Sequence, residues 1–166
     1  MKKTENRTTR ARGMALLIDG ELRGFVYAGP YRDQRRKTLG VSLLPDRTVG
    51  PRPDVHVPTR DFGTPDPTLA RDAAMVVFAA VLEGAPVYVG CTAGLGRTGT
   101  FLALLAGLAG AEDPVEYVRA YYDARAVETE KQELFARGLL TRWDKRVARL
   151  LAQSRLARRL YLRLFA

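Results

Sequence analysis

With 166 residues, 46% of them hydrophobic, the chain can bury one good core and is too short for two large domains. The apolar run Phe101 to Ala109 is far shorter than a bilayer span, and Met1 to Arg12 is polar and basic with no apolar segment behind it, so a soluble, unsecreted, cytoplasmic protein is expected. The net charge of +9 sits at the ends, +4 in residues 1–12 and +7 in residues 139–166 against −2 between them, and 22 of the 27 basic residues are arginine, the side chain suited to bidentate phosphate contacts.

Residues 1–12 read as a flexible basic arm. Ala15 to Ile18 and Gly24 to Ala28 then read as short strands joined through the turn residues Asp19-Gly20. Leu39 to Leu44 is a further short apolar run, and Val55 to Val57 follows a Pro-rich loop from Pro45 to Pro53. From Thr68 the apolar residues Leu69, Ala73, Val76, Val77, Ala80 and Val81 recur at spacings of three and four, which predicts a helix packed on a sheet. Pro86 to Val89 reads as a buried strand, followed by a glycine-punctuated turn and an apolar helix from about Thr98 to Leu108. Further helices are expected over Pro114 to Asp123, over Glu130 to Leu140, and in the C-terminal tail.

The lone cysteine cannot form an internal disulfide, which leaves its thiol free. Cys91 stands at the end of the buried strand, and Arg97 follows six residues later where a helix begins. A loop of this length can turn successive backbone N–H groups onto one anion, with the positive end of the next helix behind it. Gly94 and Gly96 allow the close approach such a cradle needs, while Thr92, Ala93 and Leu95 complete it. The same field favours the thiolate, the attacking form. Arg97 can fork onto two phosphoryl oxygens, and Thr98 can donate to the sulfur as it leaves.

The segment Cys91 to Gly99 resembles the signature loop of the cysteine-dependent protein tyrosine and dual-specificity phosphatase superfamily. Phe25 to Pro30 is similar to the first strand of the small dual-specificity branch, and Leu39 to Leu44 to its next sheet strand. Asp61-Phe62-Gly63-Thr64-Pro65 resembles the loop that supplies the general acid, with Asp54 and Asp66 as rivals for that role. Arg125 to Thr129, with Gln132, resembles the later loop in which Glu128 and Gln132 would position the hydrolytic water.

The resemblance implies an α/β fold, with a central, mostly parallel sheet of four to five strands flanked by helices. It covers roughly residues 20–140, within an expected phosphatase domain over 13–140 that a basic helical extension over 141–166 follows. It also implies hydrolysis of phosphate monoesters, phosphotyrosine and by extension phosphoserine or phosphothreonine on a protein, through a phosphocysteine and without metal or other cofactor. No histidine pair or cysteine cluster is present to bind a metal, and the single histidine, His56, is expected to be structural.

Thr59-Arg60 stands where Trp-Pro often precedes the acid-loop aspartate, and one departure from the superfamily is clear. Histidine commonly precedes the cysteine, where it would brace the loop and help keep the thiol ionised, and here the residue is Gly90, so Gly90→His is expected to raise activity at mildly acid pH if the strand end accommodates the ring. Two alternatives follow: a catalytically silent phosphate-binding relative, motivated by Gly90, and a second function in the tail. There Leu139, Leu140, Trp143, Val147, Leu150 and Leu151 are expected on one face and Arg142, Lys145, Arg146 and Arg149 on another, suited to nucleic acid, an anionic surface or an acidic partner.

Overall fold

The computed structural model describes residues 12–35 and 37–166; all of the expected basic arm except Arg12 lies outside them. The Asp19-Gly20 turn joins β1 (Gly13–Ile18) to β2 (Glu21–Pro30) as an antiparallel hairpin. Both turn residues have positive φ, 52° and 81°, which is why aspartate and glycine stand there. Beyond them come β3 (Leu39–Ser42), the short β4 (Val55–His56) and β5 (Val87–Cys91). The sheet order is β1-β2-β5-β3-β4, with every pair after the hairpin parallel. β5 is therefore central, and its C-terminal end opens at the sheet's edge between β2 and β3, the usual place for a ligand in a parallel sheet.

The helices are α1 (Pro67–Leu82), α2 (Gly96–Leu108), α3 (Pro114–Tyr121), α4 (Glu130–Gly138), α5 (Arg142–Gln153) and α6 (Arg155–Phe165). Every residue of α2 is buried, as a helix apolar on all sides requires, and α1, α3, α4 and α5 surround it. Val26, Ala28, Val87 and Val89 present the sheet face that completes this core. Helix starts follow the capping residues: Asp66 accepts from Leu69 N before Pro67, and Asp113 accepts from Val115 N and Glu116 N before Pro114. Among the described residues no helix is long and apolar enough to cross a membrane.

The face expected for the tail is turned by about one residue. In α5 the buried positions are Asp144, Ala148, Leu151 and Ala152, while Trp143 and Leu150 are exposed. Two causes act together. Thr141 and Asp144 form a reciprocal capping box that aims Asp144 inward, 3.9 Å from Arg71, and the alanines let the helix approach α1 and α2 closely.

Candidate active site

Cys91 ends β5, and the chain turns at once into the loop that starts α2. Its buried Sγ lies 3.1 Å from Thr98 Oγ1 and 3.3 Å from Gly94 N, so a hydroxyl and a backbone N–H both point at the sulfur. Gly94 needs to be glycine twice over. Its φ is +77°, and a Cβ there would stand 2.5 to 2.9 Å from the backbone of Gly29. Arg97, in the first turn of α2, is buried, and its guanidinium donates to Thr59 O at 3.2 Å and to Thr92 Oγ1 at 2.9 Å. Thr92 and Ala93 are exposed at the loop's crest; Leu95 is half-buried and Gly96 buried.

The expected acid loop arrives at the same point. Asp61 Oδ1 lies 3.0 Å from Arg97 Nη2, with the aspartate side chain open to solvent and the arginine enclosed. The two rivals are occupied elsewhere: Asp66 caps α1, and Asp54 Oδ2 accepts from Gly40 N at 2.7 Å, fastening β3 to the approach of β4. His56 is hydrogen-bonded through Nε2 to Leu44 O at 2.8 Å, a structural contact.

The later loop closes the opposite wall. A Cβ on Gly96 would collide with Glu128 Oε2 and stand 3.1 to 3.2 Å from the Gln132 amide, so both side chains lie against the phosphate-type loop. Gln132, fully buried, also forms the capping box of α4 with Thr129 and donates to Gly63 O at 3.1 Å. Thr129 Oγ1 donates to Phe62 O at 3.3 Å, so the acid loop and the later loop are tied to each other across the mouth. Each of them holds one residue in the left-handed region, Phe62 at φ 57° and the β-branched Val127 at φ 61°. Arg119 fixes the second by donating to Ala126 O and Val127 O, and Gly99 admits it, since a Cβ there would meet Ala126 and Val127 at 2.8 Å.

At Gly90 the strand end has no room for a side chain. A Cβ would lie 2.7 Å from Gly29 O, 2.7 Å from Tyr31 Cα and 2.9 Å from Tyr31 N, all backbone atoms, so the histidine ring entertained from the sequence does not fit. Support for the loop comes instead from a residue with no sequence signal, Tyr122 just beyond α3. Its hydroxyl donates to Gly94 O at 2.5 Å, burial holds its phenol well above the ordinary tyrosine range, and Arg12 lies over its ring, 5.1 Å from the centroid. Arg12 in turn pairs with Asp123, which also holds Arg125 at 3.1 Å. The hydrogen bond with Arg125 is the main force drawing Asp123 down to a pKa of about 2. Among the described residues no group of three or more His, Cys, Asp or Glu side chains is arranged to hold a metal ion.

Residues 46–110, a stretch that contains Asp61 and all of Cys91 to Gly99, match the family described as Tc-R-P, the polymorphic toxin system DSP-PTPase phosphatase. Two uncharacterized proteins of Methanocaldococcus jannaschii, MJECL20 and MJ0215, are 48% and 46% identical over 85 residues, 50% of this chain and 56% and 52% of theirs. The chain thus spans about half the length of the curated relatives it matches. Among solved structures, Tk-PTP in its active form is similar at a TM-score of 0.57 and 25% identity, over 76% of this chain and 95% of that one. Kinase associated phosphatase, with its catalytic-site cysteine replaced by serine, shares the fold at a TM-score of 0.56 and 17% identity, over 78% and 93%. Residues 46–110 are thus similar to the DSP-PTPase phosphatases, and the fold is that of the dual-specificity-phosphatase-like structures.

Proposed function

We propose that the chain hydrolyses phosphate monoesters, phosphotyrosine and also phosphoserine or phosphothreonine on a protein, through a phosphocysteine on Cys91. The observation that carries the reading is the convergence on one sulfur of the Gly94 N–H and the Thr98 hydroxyl, in a loop whose Thr92 is held by the Arg97 guanidinium. The phosphoryl oxygens take the N–H groups of residues 92–97 and the fork of Arg97, which keeps N–H donors beyond those given to Thr59 and Thr92 once Asp61 releases it. Cys91 Sγ attacks phosphorus while the ester P–O bond breaks, and protonated Asp61 gives its proton to the leaving oxygen. Water then attacks phosphorus, Asp61 takes a proton from it, and the P–S bond breaks with its electron pair returning to sulfur. Thr98 stabilises that thiolate by hydrogen bonding, and Glu128 and Gln132 line the wall from which the water comes.

Every charge this sequence of steps calls for is met by Arg97, the loop amides and Asp61, so the reaction as written uses no metal or other cofactor. A free thiol as nucleophile suits a reducing compartment, and the cytoplasm is the proposed location. The decisive assay is turnover of p-nitrophenyl phosphate in the presence of a chelator. Activity that vanishes in Cys91→Ser supports the reading; phosphate binding without turnover in the wild type identifies a silent phosphate-binding relative.

A further inference from the structure

α6 is held to the body of the protein by one side only. Arg158 is buried, its guanidinium donating to Leu151 O at 2.7 Å and to Glu83 Oε1 at 2.8 Å, and Ala157, Tyr161 and Leu162 pack against the core beside it. A helix advances about 100° per residue, so this anchoring turns two adjacent stripes outward. One is Arg155, Arg159 and Arg163. The other is Leu156, Leu160 and Leu164, exposed by 77%, 55% and 69%, in a line about 12 Å long. Among the described residues Glu83 is the acid that pairs with the arginine stripe, 3.7 Å from Arg155 and 3.5 Å from Arg159. It is already bound to Arg158, so the face stays cationic.

We propose that this face of α6 docks on an anionic membrane surface, the leucines entering the boundary between headgroups and acyl chains and the arginines meeting lipid phosphates. The pairing of the stripes selects the occupant. A second copy of the chain across a two-fold axis would set +7 against +7 over residues 139–166. Nucleic acid answers the arginines and leaves the leucines in water. A bilayer satisfies both stripes along their whole length, and it asks for no concave partner surface, which suits a single convex helix.

The test is flotation of the full chain with phosphatidylcholine vesicles containing about one-third phosphatidylserine, against phosphatidylcholine alone. Binding is expected to the anionic vesicles only and to weaken as salt is raised. Combined Leu156→Gln, Leu160→Gln and Leu164→Gln lowers affinity roughly a hundredfold, and Arg163→Glu lowers it about tenfold, with thermal melting unchanged because the Arg158 to Glu83 anchor is untouched. Failure of the wild type to float overturns the proposal. So does undiminished flotation of the leucine variant, which would reduce the face to a general polyanion site shared with RNA or DNA. A molecular mass that doubles with concentration and falls back in the leucine variant would overturn it in favour of self-association.

Discussion

Alanine at Gly90 probes the position beside the nucleophile where the chain departs from the superfamily pattern it resembles. The added methyl carbon would sit 2.7 Å from Gly29 O and 2.7 Å from Tyr31 Cα, against the 3.4 Å or more of an ordinary contact. These are backbone atoms, so no side chain can rotate aside, and the end of β2 has to move away from β5 by about 0.7 Å. Overpacking of this kind costs about 1–3 kcal/mol, which for a chain of this size lowers the melting temperature by roughly 2–12 °C. The damage is not confined to stability. Gly29, Cys91 and Gly94 share the same contact region, and a shift approaching 1 Å at a nucleophile costs about 10²-fold in rate. Gly90→Ala is therefore expected to melt lower and to lose about 10- to 100-fold in kcat/KM on p-nitrophenyl phosphate, and Gly90→His to do worse on both. Melting temperature and kcat/KM at wild-type values in Gly90→Ala would refute the packing argument. Improvement in Gly90→His would refute it more sharply.

Cys91→Ser is expected to abolish turnover while still binding phosphate or tungstate, because the loop amides remain; Arg97→Ala is expected to lose both. Asp61→Asn is expected to slow hydrolysis of alkyl phosphates by about 10²-fold, with a smaller effect on activated aryl phosphates. It should also tighten oxyanion binding, because the carboxylate 3.0 Å from Arg97 no longer competes for it; a small uniform effect on all substrates would move the acid role elsewhere. Asp123 has a folded-state pKa of about 2, below its ordinary value. The stability it contributes is therefore full above roughly pH 4 and lost as pH falls through about 2, so Asp123→Asn should lower the melting temperature at neutral pH and flatten its decline across that window. Tyr122→Phe removes the hydroxyl that donates to Gly94 O and should lower kcat with little change in KM; unchanged kcat would show that the loop stands without it.

Elements with strong local signals were legible in the sequence to within a residue or two, for local reasons. Pro67 and Pro114 fix first helical turns behind their aspartate caps, and the all-round apolar α2 has nowhere to be but the core. The Cys91 loop was legible because its chemistry is compressed into seven consecutive residues. Where the reading slipped or left rivals open, the deciding contact was one that hydrophobic period and residue type do not report. The face of α5 follows from a capping box and from alanines that match the surface of α1 and α2, which hydrophobic period alone misplaces by a residue. Asp54 and Asp66 resemble Asp61 in type and neighbourhood, and only their hydrogen bonds to Gly40 and Leu69 separate them from the site. Tyr122 acts on a carbonyl 28 residues away, and no spacing rule connects the two.

The glycines around the nucleophile make sense as a set. Gly29 and Gly90 are direct partners in the β2 to β5 ladder, and Gly94 folds back onto Gly29 so closely that a methyl group on it or on Gly90 would strike the β2 backbone. A side chain at the position before the cysteine would brace the loop from within. Here the strands instead close to backbone contact, and the loop is held by steric fit below and by the Tyr122 hydroxyl at its Gly94 carbonyl. Such support is rigid, since backbone atoms in contact have no rotamers to exchange. The two phenols beside it, Tyr88 in β5 and Tyr122, stay protonated because burial raises the pKa of both, that of Tyr88 to about 12. The backbone contacts and phenol hydrogen bonds that hold the loop from below and at its Gly94 carbonyl therefore persist over the whole range in which those phenols stay protonated.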